Sequence, residues 1–290
     1  MKIPAALSSL SSDRPVLIAG PTASGKSALA MALAQEQGGV VVNADAMQVY
    51  AGWRILSARP SPEEMARVPH ALYGHVPLSA AYSVGAWLAD VTPLLTGRMR
   101  PIITGGTGLY FSALTQGLAG VPGIPPEVRK RADSLSLGDL LREIDQPTRA
   151  RIDTANRARV QRAWEVLAAT GRGLAAWQAD TPAPCLPLDR VTPIVLEADP
   201  VWLEYRIVER VDAMLSQGAV EEARRILPGL NPLFQSSRII GATELVAHLR
   251  GELSLEEARK RTILATRRYA KRQRTWFRNR MKGWTRIPVP

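Results

Sequence analysis

The stretch Gly20-Pro21-Thr22-Ala23-Ser24-Gly25-Lys26-Ser27 matches the pattern G-x-x-x-x-G-K-[ST] and decides how the first part of the chain folds. The apolar run Val16-Leu17-Ile18-Ala19 before it is typical of a buried parallel strand, and the Ala- and Leu-rich residues 28–37 after it predict a helix. This order is that of a phosphate-binding loop, whose backbone N–H groups converge at the positive end of a helix. Lys26 would reach the terminal phosphate oxygens, and the Ser27 hydroxyl would hold Mg²⁺. A surface turn that matches by chance is the alternative, and the two correct flanks disfavour it.

The composition restricts the class of protein and of partner. A chain of 290 residues accommodates one large α/β domain, or a core domain with a smaller one. Its net charge of +11 predicts a polyanionic partner, either nucleic acid or an anionic membrane surface. The single cysteine, Cys185, excludes a disulfide framework and a cysteine-rich zinc module, and it favours a cytoplasmic protein. His70 and His75 have no second ligand at metal spacing and are assigned no metal role.

The distribution of apolar residues bears on membranes and targeting. No stretch of about 18 or more apolar residues is present, so we predict no membrane-spanning segment. Residues 1–13 lack the charged start and the long apolar centre of a secretion signal and are expected to form a frayed leader. We expect a monomer.

Two further predicted strands end in residues that could meet the phosphate-binding loop. Val40–Asn43 is followed by Asp45, and the strand from Pro101 to Thr104 runs into Gly105-Gly106-Thr107. Ligands of open parallel sheets bind beyond the carboxyl ends of the strands, which places Asp45 and Thr107 beside the loop. The paired glycines would let the backbone approach a ligand closely. The alternative role for Asp45 is to cap the next turn.

Two proline-rich stretches, 121–126 and 181–187, mark the boundaries of an insertion. We therefore predict a core formed by residues 1–122 and 188–290, with an inserted helical domain at 123–187.

Individual residues indicate where a helix inside the insertion and a strand after it are expected. Asn156 is predicted to cap a helix that carries Arg159 and Arg162 on its outer face. Beyond the insertion, residues 191–196 predict another strand, in which Pro193 indicates an edge position or the start of the strand.

The segment from Arg259 to Lys282 is rich in cations and contains no acidic residue. At about 100° per residue, its apolar residues share one half of a helix and most of its cations the other. The outward cations are Arg267, Arg268, Lys271, Arg272, Arg274 and Arg278. We favour a footprint for the phosphate backbone of a nucleic acid. A merely solvated basic face and an anionic membrane surface are the alternatives.

The third predicted strand ends without the Asp that ATP-hydrolysing proteins with this loop use to hold Mg²⁺. This difference disfavours a small-molecule or nucleotide kinase, which stays the main alternative. It leaves Asp45 as a lone carboxylate suited to accept a proton. Together with the basic segment, the phosphate-binding loop and the lone carboxylate predict a transfer reaction. A diphosphate would be the leaving group, and an atom of an extruded nucleic-acid base would be the nucleophile. A non-catalytic RNA-binding protein with a vestigial loop is the third hypothesis.

Six blocks, in order along nearly the whole chain, resemble those of the bacterial tRNA dimethylallyltransferases. They are residues 20–27 quoted above, Asn43-Ala-Asp-Ala-Met-Gln-Val-Tyr50, Gly105-Gly-Thr-Gly-Leu-Tyr110, Arg159-Val-Gln-Arg-Ala163, Arg238-Ile-Ile-Gly241 and Ala265-Thr-Arg-Arg-Tyr-Ala-Lys-Arg-Gln-Arg-Thr-Trp276. Each block is modest alone, but the set is highly specific. Two stretches depart from the family pattern: Leu56-Ser57-Ala58-Arg59-Pro60 lacks a glycine, and Asp153-Thr154-Ala155-Asn156 differs ahead of the arginine-bearing helix.

The resemblance implies an α/β fold, in which a parallel sheet with a phosphate-binding loop is flanked by helices and carries an inserted all-helical tRNA-binding domain. It also implies transfer of a dimethylallyl group from dimethylallyl diphosphate, with Mg²⁺, to N6 of the adenosine 3′ of the anticodon. By position, Asp45 would be the general base, with Thr107 and Arg238 at the reacting phosphate and substrate. Residues 20–27 would hold the diphosphate. The residues that would bind the tRNA anticodon arm are Asp45, Ala46, Met47, Gln48, Thr107, Arg129, Arg159 and Arg162.

Overall fold

The computed structural model describes residues 13–290, so residues 1–12 of the predicted leader lie outside the described part. The chain divides into two compact units. The larger one comprises the described residues up to Thr115 together with Leu186–Pro290, and the smaller one is Gln116–Cys185. The boundaries predicted at 123 and 187 lie close to those of the smaller unit.

The larger unit is built on a six-stranded sheet. Its strands are β1 (Val16–Ala19), β2 (Val40–Asn43), β3 (His70–Ala71), β4 (Pro101–Gly105), β5 (Thr192–Ala198) and β6 (Thr285–Val289). They lie in the order β3-β2-β4-β1-β5-β6, and every neighbouring pair is parallel. The predicted α/β class with a parallel sheet is confirmed.

Thirteen α-helices are present in the described part of the chain. Before and within the smaller unit they are α1 (Lys26–Gln37), α2 (Pro62–Arg67), α3 (Val84–Leu95), α4 (Gly108–Gln116), α5 (Pro126–Ser134), α6 (Leu137–Glu143), α7 (Gln146–Arg149), α8 (Arg157–Thr170) and α9 (Leu174–Ala179). After it come α10 (Pro200–Ser216), α11 (Ala219–Ile226), α12 (Ala242–Leu249) and α13 (Leu255–Arg280). None of these described helices is long and apolar enough to cross a membrane.

Both faces of the sheet are covered by apolar side chains. Successive residues of a strand point to opposite faces, so β1 contributes to two layers. Val16 and Ile18 pack in the layer that contains α1, whereas Leu17 and Ala19 pack in the layer that contains α3, α4 and the end of α13. All four residues are fully buried. A ligand therefore has access to the sheet only at the ends of its strands.

The structure corrects the prediction of an edge position for β5. This strand lies between β1 and β6, and Pro193 is its second residue, in register with Leu17. Pairing with β6 begins only at Ile194, so the missing N–H of Pro193 costs no hydrogen bond on that side. The alternative expectation, a strand start, is the correct one. The short outer strands β3 and β6 were not predicted.

The smaller unit is helical and has its own apolar core. Ala132, Leu140, Val160 and Trp164 are buried together there. As predicted, the Asn156 side chain caps α8 by accepting a hydrogen bond from the backbone N–H of Arg159, at 3.2 Å.

Candidate active site

The phosphate-binding loop has the expected order of strand, loop and helix. Gly25 precedes α1 with a φ of +88°, a left-handed conformation that glycine adopts without strain. Lys26 follows, is 8% exposed, and its Nζ lies 3.4 Å from the carbonyl oxygen of Pro21. The side chain of Ser27 is exposed at the first turn of α1. A buried ammonium at a helix N-terminus beside an exposed hydroxyl is an arrangement that favours anions.

Arg210 of α10 lies close enough to the loop to influence Lys26. The pKa of Lys26 is lowered from 10.5 to about 8, because burial and, to a smaller extent, the charge of Arg210 lower it while the charge of Asp45 raises it. Burial also lowers the pKa of Arg210. Sequence reasoning missed Arg210, because its position in a charged stretch of an amphipathic helix is indistinguishable from that of a solvated arginine. Two desolvated cations beside one carboxylate give the site a positive field.

Asp45 caps the turn after β2, which is the alternative role considered from the sequence, and it also lines the cavity described below. Its Oδ1 accepts a hydrogen bond from the N–H of Met47 at 3.0 Å, which caps the turn after β2. Its own N–H donates to Oδ1 of Asn43 at 2.8 Å, and the Asn43 amide donates to the Leu72 carbonyl at 3.0 Å. The capping bond fixes the carboxylate orientation, and the second oxygen remains for chemistry.

Thr107 connects the ends of β4 and β2. Its hydroxyl oxygen accepts a hydrogen bond from the N–H of Ala46 at 2.9 Å, and its own N–H donates to the carbonyl of Ala44 at 3.2 Å. The threonine therefore positions the loop that carries Asp45, in addition to lining the cavity described below.

The paired glycines after β4 make close contacts, but with the protein rather than with a ligand. A Cβ on Gly105 would lie 2.0 Å from the carbonyl oxygen of Ala44. A Cβ on Gly106 would lie 2.1 Å from Nε2 of Gln273 and 3.3 Å from Oδ2 of Asp45. The expectation that these glycines make room for a ligand is corrected: they make room for the β2 loop and for α13.

One cavity of about 400 Å³ brings together eight of the predicted site residues. Those lining it are Thr22, Lys26, Asp45, Ala46, Met47, Gln48, Thr107 and Arg238. The cavity wall also contains residues that were not predicted, among them Leu56, Arg210, Met214, Ile239, Ile240, Tyr269 and Arg272. Asp45 is the only acidic residue of this lining. A site with cations, one carboxylate and an apolar wall suits an anion that carries a hydrocarbon group.

A second cavity, of about 510 Å³, is lined by Lys26 and Ser27. Glu64 and Glu209 line it together with Arg210. The expectation that Asp45 is the lone carboxylate near the loop is therefore wrong for the loop as a whole. Neither glutamate could be assigned from sequence, because tertiary packing of α2 and α10 brings them there.

The buried wall of the first cavity depends on Glu222 and Gln48. The Glu222 carboxylate, 3% exposed, accepts hydrogen bonds from the backbone N–H groups of Arg54, Ile55 and Leu56 at 2.8, 2.8 and 3.0 Å. The Gln48 amide donates to the carbonyls of residues 57 and 58 at 2.9 and 3.0 Å. These bonds fix the loop that departs from the family pattern.

The basic segment is a helix with the predicted two halves. Thr266, Ala270, Gln273 and Phe277 are buried along one side of α13. The segment itself contains no acidic residue, but cations in the first part of α13 form ion pairs with acidic residues outside the segment, such as Arg259 with Asp212. From Arg268 onward, the cations of the segment form no ion pair within the described part of the chain. Those next to the phosphate-binding loop, at Pro21, are Lys271, Arg274 and Arg278, which line a further cavity.

The predicted arginines of the smaller unit are all exposed. Arg159 and Arg162 project from α8, and Arg129 from α5. Nε of Arg129 lies 3.9 Å from the carboxylate of Glu165. Burial lowers the pKa of Arg162, Glu165 raises it and the charge of Arg129 lowers it, which indicates that the two arginines are neighbours.

The chain matches the family model described as IPP transferase over residues 48–280, and that described as isopentenyl transferase over residues 14–73. The tRNA dimethylallyltransferase of Roseobacter denitrificans is 60% identical over 94% of this chain and 98% of its own. That of Jannaschia sp. is 55% identical over 98% of this chain and 99% of its own. A tRNA isopentenylpyrophosphate transferase of Bacillus halodurans has a solved structure that matches with a TM-score of 0.68 and 33% identity, over 95% of this chain and 90% of that one. A eukaryotic dimethylallyltransferase acting on tRNA matches with a TM-score of 0.80 and 25% identity, over 94% of this chain and 73% of that one. This chain belongs to the IPP transferase family, that of the tRNA dimethylallyltransferases.

Proposed function

We propose that this protein transfers the dimethylallyl group of dimethylallyl diphosphate to N6 of the adenosine 3′ of the anticodon in tRNA. The observation that carries the proposal is the cavity in which Lys26 and Arg210 face the single carboxylate of Asp45 beside an apolar wall. The family relationship supports the same assignment. We further expect the protein to be a cytoplasmic monomer.

The diphosphate is proposed to bind at the phosphate-binding loop. Lys26 and Arg210 supply positive charge, and the backbone at the N-terminus of α1 supplies N–H donors. Thr22 is an exception, because its N–H already donates to Oε1 of Gln273 at 2.9 Å. These groups stabilise the negative charge that grows on the diphosphate as it leaves.

Magnesium fits this site only as a partner of the diphosphate. No cluster of three or more His, Cys, Asp or Glu side chains suited to a metal occurs in residues 13–290. The exposed Ser27 hydroxyl is a hard oxygen ligand of the kind Mg²⁺ prefers, and diphosphate oxygens would complete its coordination. Bound there, the ion would neutralise charge on the leaving group.

Asp45 is proposed as the base. As N6 of the adenine forms a bond to C1 of the dimethylallyl group, the bond from C1 to the diphosphate oxygen breaks and the diphosphate leaves. The proton lost by N6 passes to the free oxygen of the Asp45 carboxylate. Thr107 holds the Asp45 loop, and Arg238 lies at the cavity to contact the reacting phosphate or substrate.

The remaining predicted residues are proposed to bind the RNA. Ala46, Met47 and Gln48 line the cavity where an extruded adenine would lie. The exposed cations of α13 and, on the smaller unit, Arg129, Arg159 and Arg162 would contact phosphates of the anticodon arm.

The test is incubation of the pure protein with Mg²⁺, radiolabelled dimethylallyl diphosphate and unmodified tRNA that reads codons beginning with U. We expect label on the tRNA, and a matched tRNA without adenosine at the position 3′ of the anticodon serves as the control. If no label is transferred while a nucleoside triphosphate raises the melting temperature and dimethylallyl diphosphate does not, the kinase alternative replaces the proposal.

A further inference from the structure

The side chain of Gln273 joins the phosphate-binding loop to the end of β4. Its Oε1 accepts a hydrogen bond from the N–H of Thr22 at 2.9 Å, and its Nε2 donates to the carbonyl of Gly106 at 2.9 Å. Gln273 is 5% exposed, its bond to Gly106 is buried, and its bond to Thr22 is partly buried. Buried hydrogen bonds to backbone groups are costly to lose, because the orphaned N–H and C=O find no solvent partner.

Both bonded residues belong to the proposed reaction site. Thr22 lines the cavity, and Gly106 directly precedes Thr107. The Gly106 position is also close to Oδ2 of Asp45, since a Cβ there would lie 3.3 Å from it. One amide group of α13 therefore sets the distance between the diphosphate loop and the loop of the base.

A second contact makes α13 a stiff connection at this point. Trp276, almost one turn beyond Gln273, packs so closely on Gly108 that a Cβ there would lie 2.3 Å from its ring. Gln273 and Trp276 thus contact the segment 106–108 side by side. A small shift of α13 must either move this segment or break the hydrogen bonds of Gln273.

The same stretch of α13 faces outward with cations. Arg272 and Arg274 flank Gln273, are exposed, and form no ion pair among the described residues. Arg272 also lines the 400 Å³ cavity, and Arg274 lines the cavity next to Pro21. RNA phosphates bound to these arginines would act on the helix at the position of Gln273.

We propose that Gln273 is a positioning residue that couples RNA on α13 to the geometry of the diphosphate-binding loop. The inference rests on the proposed function, and it adds that the two substrates sense each other through this amide. Coupling of this kind is reciprocal: RNA would tighten diphosphate binding by the same factor by which diphosphate tightens RNA binding.

The experiment measures the affinity of the full-length protein for inorganic diphosphate in Mg²⁺, with and without unmodified tRNA, by calorimetry. Gln273→Met keeps the length of the side chain but makes neither hydrogen bond. We expect this variant to bind diphosphate about tenfold more weakly than the wild type, the size of effect that loss of one or two hydrogen bonds produces. We also expect tRNA to tighten diphosphate binding in the wild type and to have less than half that effect on the variant.

Thr115→Val is the control for a purely structural role. Thr115 is 7% exposed, and its hydroxyl donates within α4 to the carbonyl of Phe111 at 2.8 Å, so the change removes a buried hydrogen bond without touching either loop. If Gln273→Met lowers the melting temperature as this control does but leaves the diphosphate affinity and its tRNA dependence at wild-type values, Gln273 only stabilises the fold and the inference is overturned. If the wild type itself does not bind diphosphate, the proposed function fails together with it.

Discussion

Replacing Lys26 with methionine is expected to stabilise the protein in the absence of diphosphate. Burial beside Arg210 holds the pKa of Lys26 at about 8, compared with 10.5 for a free lysine. Because a change of one in pKa corresponds to about 1.36 kcal/mol, this fall makes charged Lys26 cost the folded state about 3 kcal/mol. The hydrogen bond to Pro21, at 3.4 Å, is too long to offset much of that cost. We therefore expect the free energy of unfolding of the Lys26→Met variant at pH 7 to exceed that of the wild type by about 2 kcal/mol.

The difference in stability between the Lys26→Met variant and the wild type should depend on pH. Below pH 8, Lys26 is protonated in both the folded and the unfolded states, and its full cost is present. Between pH 8 and 10.5 the unfolded chain binds more protons than the folded protein, so the stability of the wild type rises with pH relative to the variant. The advantage of Lys26→Met should therefore shrink across this range and disappear above pH 10.5.

The assay is thermal unfolding of both proteins between pH 6.5 and 10.5, with and without inorganic diphosphate and Mg²⁺. Diphosphate at about 100 times its Kd for the wild type should stabilise the wild type by about 2.7 kcal/mol and the variant by less, because only the wild type has the Lys26 ammonium to bind it. A variant that is less stable than the wild type at pH 7, or a gap that stays constant up to pH 10.5, would show that Lys26 is not a desolvated cation in the free protein.

Three further changes test other parts of the site. Asp45→Asn keeps an oxygen for the capping bond to Met47 but removes the base. Single-turnover prenyl transfer should therefore fall about 10²- to 10⁴-fold while diphosphate and tRNA binding persist. Unchanged turnover would exclude Asp45 as the base. Gly106→Ala would place a Cβ 2.1 Å from Nε2 of Gln273, so it should destabilise the protein by about 1–3 kcal/mol and weaken diphosphate binding. Gly120 has open space around it, so the control Gly120→Ala should have neither effect. Thermal melting measures the stability of both variants, and calorimetry measures their diphosphate binding. Glu222→Ala leaves three N–H groups without an acceptor, two of them buried, and should lower the free energy of unfolding in urea by about 3 kcal/mol or more. Formate should restore part of this stability and chloride at equal ionic strength should not; equal unfolding curves in the two salts would contradict this.

Local sequence patterns were sufficient for the elements that carry the site but not for all of its charges. The strand, loop and helix from Val16 to the end of α1 could be predicted, because the apolar run, the glycines and Lys26 lie within a few residues of each other. The bond between Gln273 and Thr22 joins residues 251 positions apart, and no local pattern encodes that pairing. Arg210 was missed for the same reason, since its approach to Lys26 depends on how α10 packs on α1 and the sheet.

For the glycines after β4, the sequence correctly predicts a close contact but not the group that makes it. Their pattern predicts a close approach, and the approach exists, but the partners are the Ala44 carbonyl and the Gln273 amide. The sequence reveals that space is needed and not what occupies it.

The chemistry of the cavity, more than the loop motif, separates a prenyl donor from a nucleotide. The motif serves any diphosphate or triphosphate, and Lys26 and Arg210 would attract either. A phosphoryl-transfer site needs an acidic group at the neighbouring strand end, but β4 ends in Gly105 and leads to Thr107. The lining includes Leu56, Met214, Ile239 and Ile240, whose side chains form no hydrogen bonds but suit a branched hydrocarbon. We therefore expect the loop to bind a diphosphate that carries an apolar group. As that group is transferred, Lys26 and Arg210 would stabilise the negative charge on the departing diphosphate.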